Sequence, residues 1–265
     1  MPVLMTLGMD LARSTVWFVL LGVIFLPLER LFAERPLPIL RREWAVDMGW
    51  FFFNGVVTAL IMGFTAALIA TTANRVLPIP HYHLPIWARM AATLVVGEFG
   101  FYWGHRLSHE IPLLWRFHAI HHSATQIDWL TSSRAHPVDF LFTRLSGFVL
   151  LSITGLARPE GNSHFIAVSL LLIFTTVWGF FIHSNVKWRL GWLEVVIATP
   201  AFHRWHHTAD AHRDHNYAST LPFYDRLFGT LYLPRRAAPP AFGIDAAMPS
   251  DFVGQMLSPL NKPAA

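Results

Sequence analysis

The chain has 265 residues, of which 54% are hydrophobic and only 14% charged, with a formal net charge of +4 and a mean hydropathy of +0.41. A soluble domain carries about 25% charged residues, so this composition suits a membrane, and the scattered basic residues do not form a nucleic-acid-binding patch. The absence of cysteine excludes disulfides, thiolate metal sites and cysteine nucleophiles.

Met1 to Arg13 lacks a basic stretch followed by a small-residue cleavage site, so no removable signal peptide is expected. Runs of about 20 apolar residues mark candidate membrane helices. They fall at Ser14 to Leu31, Val46 to Ala70, Pro85 to Gly104, Val138 to Leu156 and His164 to Ile182. The proline-rich connector Leu77 to Pro85 cannot continue a helix. The fourth run is interrupted by Arg144 and Gly147, so four to five spans are expected. Basic residues orient spans toward the cytoplasm. Arg35, Arg41 and Arg42 follow the first run, Arg106, Arg116 and Arg134 the third, and Lys187, Arg189, Arg204 and Arg213 the fifth. With the amino terminus outside, all of these face the cytoplasm. Ile111 to Trp115 and Lys187 to Trp205 have the Trp, Leu and Arg content of helices lying at the membrane surface.

Residues 1–84 thus form amino-terminal spans, 85–234 a functional domain, and 235–265 a tail expected to be loosely ordered. The fold class is all-α, a polytopic membrane helix bundle with a cytoplasmic, histidine-rich helical cap holding a dimetal site.

That cap is defined by three clusters: His105-Arg-Leu-Ser-His109, His118-Ala-Ile-His121-His122 and His203-Arg-Trp-His206-His207. Residues three and four apart share a helix face, so each cluster aims imidazoles one way. Burying so many titratable rings without a metal costs desolvation and mutual repulsion, whereas neutral imidazole is a good ligand for iron, zinc and copper. These imidazoles exceed what one ion can use, and the economical reading is a di-iron site. His183 ends the fifth run at the depth of His105 and joins the set as a ninth ligand. His136 opens the fourth run at the same surface and is carried as a catalytic or gating candidate, with a tenth-ligand role equally open. His212 and His215 suit supporting roles, while His81, His83 and His164 fall on the opposite side.

Glu98 lies on the helical stripe of Tyr102, His105 and His109, and an acid inside a membrane is functional by default. Its expected task is to accept the second ring N–H of a ligand histidine; a hydrogen bond to a neighbouring helix is the bland alternative. Asp139, Asp210 and Asp214 are similar candidates. Paired Glu-x-x-His motifs of soluble di-iron bundles are absent. A zinc protease fails because position 113 is Leu where His-Glu-x-x-His needs histidine. A haem needs only one or two axial histidines, and no Gly-rich phosphate loop is present for a nucleotide cofactor.

The order His-x-x-x-His, His-x-x-His-His, His-x-x-His-His resembles the fatty acid hydroxylase/sterol desaturase superfamily of membrane di-iron oxygenases. So do Phe101-Tyr-Trp-Gly-His-Arg106, Arg134-Ala-His-Pro-Val-Asp139, His183-Ser-Asn185, Asn216-Tyr-Ala-Ser-Thr and Asp225-Arg-Leu-Phe-Gly-Thr230. The likeness covers about Leu94 to Leu231. It implies His105, His109, His118, His121, His122, His183, His203, His206 and His207 as iron ligands, with Glu98, His136 and Asn185 acting beside them. Lys187 stands where ceramide hydroxylases add a histidine, which favours the sterol-desaturase-like branch. Ala218 stands where many relatives have glycine.

The resemblance implies hydroxylation or desaturation of a lipid (sterol, fatty acyl or related apolar chain) using O2 and two iron ions, with zinc taking their place in some purified samples. Electrons are expected from a separate cytochrome b5- or ferredoxin-type carrier and its reductase. No nucleic acid is expected, and the expected location is a bacterial inner membrane. The competing class is a histidine-rich metal transporter or metal-binding membrane protein. Transporter sites lie near the midplane on broken helices, whereas these clusters sit at span ends.

Overall fold

The structure, a computed structural model, describes residues 2–79, 84–158, 162–234 and 238–261, without the side chains of residues 2–4, 162–164 and 167. His81, His83 and the side chain of His164 lie outside the described residues. The described chain is helical, with isolated bridges Ala33–Val186 and Thr208–Phe242 in place of strands.

Five long helical stretches match the apolar runs. They are α1 (Pro2–Leu31), α2 (Trp44–Phe53) continuing through a π-helical turn (Asn54–Thr58) into α3 (Ala59–Val76), α4 (Ile86–Glu110), α6 (Pro137–Ile153) and α7 (Asn162–His183). Among the described residues, two segments are both long and apolar enough to cross a membrane, Met5–Leu31 and Trp44–Val76, with Val168–His183 a shorter apolar helix. Many of their large side chains point outward, Val23 being 69% exposed and Phe64 73%, while Leu21, Phe25, Trp50 and Phe51 are buried. α4 outruns its predicted span to Glu110 and carries His105 and His109 on that extra length.

Proline sets the cap's joints. A residue before proline is pushed out of the α region, so Ile111 is extended, α4 stops, and Pro112 opens α5 (Pro112–His122). Pro137 opens α6 and Pro200 opens α8 (Pro200–His206), each at a position where a missing N–H costs nothing. Thr199 caps α8, its hydroxyl accepting the Phe202 N–H at 3.3 Å.

α4 and α6 approach backbone to backbone. A Cβ on Gly100 would lie 2.6 Å from the Gly147 Cα, and one on Gly147 would lie 2.6 Å from the Gly97 carbonyl oxygen. Gly100 and Gly104 have the four-residue spacing that lets membrane helices touch closely.

The amino-terminal helices meet the cap through buried charge. Arg41 forks onto Asp128 with two 2.7 Å bonds, and Asp47 bridges Arg41 and Arg134. Glu29 accepts the backbone N–H groups of Trp129 and Asn185, both at 2.8 Å. Within the π turn, the Asn54 amide donates to the Ser133 and Ala135 carbonyls, each at 3.0 Å.

Two sequence expectations differ from the structure. Lys187 to Trp205 is not one surface helix: Gly191 at φ +60° opens a short 3-10 turn (Gly191–Val195), and α8 starts afresh at Pro200. Trp192 is exposed as a surface anchor would be, but Trp205 is buried. The described part of the expected loose tail is packed. Arg35 donates to the Pro239 carbonyl, and a short helix (Phe252–Leu257) sets Phe252 against Trp50 at 4.7 Å while Gln255 accepts the Trp50 indole N–H at 2.9 Å. An amphipathic stretch of six residues after a proline-rich lead gives little periodic signal.

Candidate metal centre

The nine histidines singled out from the sequence converge in two adjacent groups. His105, His109, His118, His122 and His206 form the first, and His121, His183, His203 and His207 the second, with one ring nitrogen from each member within 4.8 Å of the others in its group. The groups do not follow the sequence clusters. His118 and His122 share one face of α5 while His121 points to the other group; His203 and His207 share a face while His206 crosses to the first. One ring from each group, His122 and His207, stack at 4.6 Å.

Their tautomers follow from their partners. A carbonyl oxygen only accepts, so Nδ1 donates from His105 to Tyr217 (2.6 Å), from His121 to Arg134 (2.9 Å), from His183 to Gly179 (2.7 Å) and from His206 to His215 (2.8 Å). The Nδ1 atoms of His118 and His109 lie 2.9 Å from Asp139 and 3.0 Å from Asp214. Each Nε2 on these rings is then a lone pair when the ring is neutral. Yet the Nε2 atoms of His105 and His118 lie 3.1 Å apart, and those of His121 and His183 3.2 Å apart. Lone pair facing lone pair at that distance is repulsive, and a cation between them removes the repulsion. The donor set therefore fits a metal ion in each group.

Burial first, and neighbouring imidazoles second, hold His121, His122, His203, His206 and His207 well below the ordinary histidine range. They are neutral near pH 7, which is the ligating form.

The remaining candidates support this centre from outside. Glu98 hydrogen-bonds no histidine among the described residues; it accepts from Ser219 Oγ (2.9 Å) and the Thr220 and Leu221 N–H groups (2.6 and 3.2 Å), pinning the loop after the third cluster. The histidine-facing task expected of it falls to Asp139 and Asp214. Asp210 pairs instead with His212 at 2.9 Å. His136 lies outside both groups as the amino-terminal cap of α6, its Nδ1 accepting the Val138 N–H at 3.1 Å while its ring packs on Phe117. Asn185 also stands apart, clamping Arg35 by its backbone N–H (3.1 Å) and carbonyl (2.6 Å). His212 stacks on Tyr232 at 4.1 Å, and His215 contributes its carbonyl to His206.

Sequence reasoning missed the acid that orients His105 indirectly. Asp225 accepts the Tyr217 and Ala218 N–H groups (2.8 and 2.9 Å) and the Thr230 hydroxyl (2.7 Å), fixing the Tyr217 carbonyl that His105 uses. Burial pushes its carboxyl up to about 6 against the pull of those donors. It also missed the Arg41–Asp47–Arg134 network behind the His121 acceptor. An acid at the start of an apolar run, Asp47, was the available signal.

Residues 90–230, more than half of the chain, match the family model described as fatty acid hydroxylase. The chain is 32% identical over 217 residues to ornithine lipid hydroxylase OlsE of Rhizobium tropici, covering 79% of this chain and 63% of the relative. It is 32% identical over 145 residues to human alkylglycerol monooxygenase, covering 54% and 30%. It is 29% identical over 155 residues to methylsterol monooxygenase 2-2 of Arabidopsis thaliana, covering 56% of each. The chain thus spans less than two thirds of the length of these relatives. No solved structure matches it. With the matched region enclosing all nine converging histidines, the chain belongs to the fatty acid hydroxylase family.

Proposed function

We propose that this chain is a multi-pass membrane enzyme that uses O2 to oxidise a C–H bond of a lipid, with two iron ions held by the nine histidines. The observation that carries the reading is the pair of buried imidazole groups whose Nε2 lone pairs face one another at 3.1–3.2 Å. When bound, paired irons supply reductive O2 activation strong enough for an unactivated C–H bond.

The chain's own residues do the rest. Backbone carbonyls of Tyr217, Arg134, Gly179 and His215 lock ring tautomers and aim the Nε2 atoms inward. Tyr102, Phe202 and Tyr217 wall one side and exclude water, which strengthens electrostatic interactions inside. Glu98 and Asn185 act as positioning groups, holding the 219–221 loop and the segment around Arg35. His136 sets the start of α6, and with it Asp139.

The substrate proposed is a membrane lipid oxidised on its hydrocarbon chain. The match to ornithine lipid hydroxylase runs over 217 residues and so extends beyond residues 90–230, which favours hydroxylation of a polar acyl lipid over desaturation. The apolar exterior of α1 to α3 suits delivery from the bilayer. Basic loops favour the cytoplasmic side for the histidine cap, within reach of a soluble or b5-type electron carrier and its reductase.

The test is metal analysis of purified protein together with lipid mass spectrometry of cells with and without the gene. Two irons per chain and a lipid species gaining one oxygen only when the protein is present are expected. A metal-free protein, or an unchanged lipid profile in cells that make it, overturns the reading.

A further inference from the structure

The two histidine groups differ in what stands behind them. In the first, His118 faces Asp139 at 2.9 Å and His109 faces Asp214 at 3.0 Å. In the second, the outer nitrogens of His121 and His183 meet neutral backbone carbonyls, and those of His203 and His207 make no hydrogen bond among the described residues. The first group also offers five nitrogens against four.

Asp139 is the consequential carboxylate. It is 6% exposed and pairs with no Lys or Arg among the described residues, His118 being its one ionic partner there. Burying a carboxylate costs desolvation, which the Ser108 hydroxyl and the charge of Arg144 also help to offset, and a carboxylate behind a ligand histidine makes that ring a stronger donor. Positive charge delivered to His118 Nε2 would offset the cost of burying Asp139. Asp214, by contrast, is 56% exposed and its charge is screened by water.

We propose that the two metal positions are unequal, and that Asp139, acting through His118 as a positioning residue, makes the first group the tight one and leaves the second to hold its ion more weakly. This rests on the two-metal reading above and goes beyond it by ranking the positions. It predicts that ion loss from the second group is the first step of inactivation, and that a half-loaded protein carries its ion on His105, His109, His118, His122 and His206.

The test uses the full chain in detergent, loaded with two zinc ions and titrated with a competing chelator, reading zinc retained per chain. The wild type should release its ions in two phases. Asp139→Asn keeps the size of the side chain and removes its charge, and should weaken the tight phase by about 10- to 100-fold while the metal-free protein unfolds at no lower temperature than the wild type. Asp139→Glu should restore much of that affinity, and Asp214→Asn should change it by only a few-fold. His183→Ala should lose the weak phase and keep the tight one, with His109→Ala doing the reverse.

A single release phase in the wild type, a tight phase untouched by Asp139→Asn, or a tight phase lost in His183→Ala would each overturn the ranking. A wild-type protein taking up fewer than two zinc ions would instead overturn the two-metal reading beneath it. The His183→Ala and His109→Ala arms decide the ranking even where the Asp139 variants do not fold.

Discussion

The histidine cap and the amino-terminal helices invert each other. In the cap, imidazoles and carboxylates are inside: His105, His118, His122, His203, His206 and His207 are all at most 4% exposed. In α1 to α3, many valines, leucines and phenylalanines are outside, among them Val23, Phe64 and Leu68, although Leu21, Phe25 and Phe51 pack inside, and buried charge gathers where these helices meet the cap at Arg41, Asp47 and Asp128. The difference teaches where the stability of each region comes from. The cap depends on pairing its buried polar groups, because an unpaired one costs several kcal/mol, and the ring nitrogens of His203 and His207 that lack a hydrogen bond mark where that pairing is incomplete. The helices α1 and α2 rest on the buried apolar cluster of Leu21, Phe25, Phe51 and Trp129, and beyond it their apolar faces turn outward.

The strongest way to break this comparison is His121→Ala. It removes a ring from the second group and should reduce lipid oxidation to background by mass spectrometry while membrane insertion persists. Full activity in that variant contradicts the metal reading.

Next in size is pH. The unfolded chain's histidines titrate near pH 6.5, whereas His121, His122, His203, His206 and His207 titrate well below that when folded. Below about pH 6.5 the unfolded state therefore holds more protons, and stability falls as pH falls. Each such ring removes about 1.4 kcal/mol per pH unit. Melting of chelator-treated protein should drop steeply from pH 7 to pH 5; a flat profile would mean that the rings are not buried neutral.

Asp47→Ala sharpens the junction. It leaves Arg41 and Arg134 buried around an absent carboxylate, and removing one partner of such a network costs about 3–5 kcal/mol. Denaturant or thermal unfolding in detergent reads this directly, and a loss under 1 kcal/mol would place the network in contact with water.

Gly100→Ala should cost about 1–3 kcal/mol, because the new methyl meets backbone that cannot swing away. The smallest effect belongs to the outer surface: Val23→Ala on α1 should change stability by less than about 0.5 kcal/mol. A core-sized loss there would mean that α1 packs on protein rather than lipid.

What could be read from the sequence was what is local. Spacings of three and four within α4, α5 and α8 identify the histidines because one helix turn brings them together. Their division between two groups could not be read, since it depends on how α5 and α8 face each other across 84 residues, as at His122 and His206. The same holds for Glu98, whose helix stripe was visible but whose partners lie 121 to 123 residues on. Asp139 was recognisable as an acid near the site, but its pairing with His118 is set by the contact between α5 and α6. Helix ends were legible wherever proline imposed them, at Pro112, Pro137 and Pro200, and illegible at Gly191, where a positive φ ends the predicted helix.

The π turn at Asn54–Thr58 has a further effect on the longest helix. Such a turn takes up one residue more than an α turn, and each residue advances the helix by about 100°. The stretch from Trp44 to Val76 is therefore two helices out of phase. Its inner half is dialled to present Asp47, Trp50 and Asn54 to the cap, and its outer half presents Phe64 and Leu68 outward. Deleting one residue within the turn would mend the hydrogen-bond ladder and swing the whole outer half by about a quarter circle. The irregularity is a phase adjuster that lets one continuous rod face the cap at one end and turn an apolar side outward at the other.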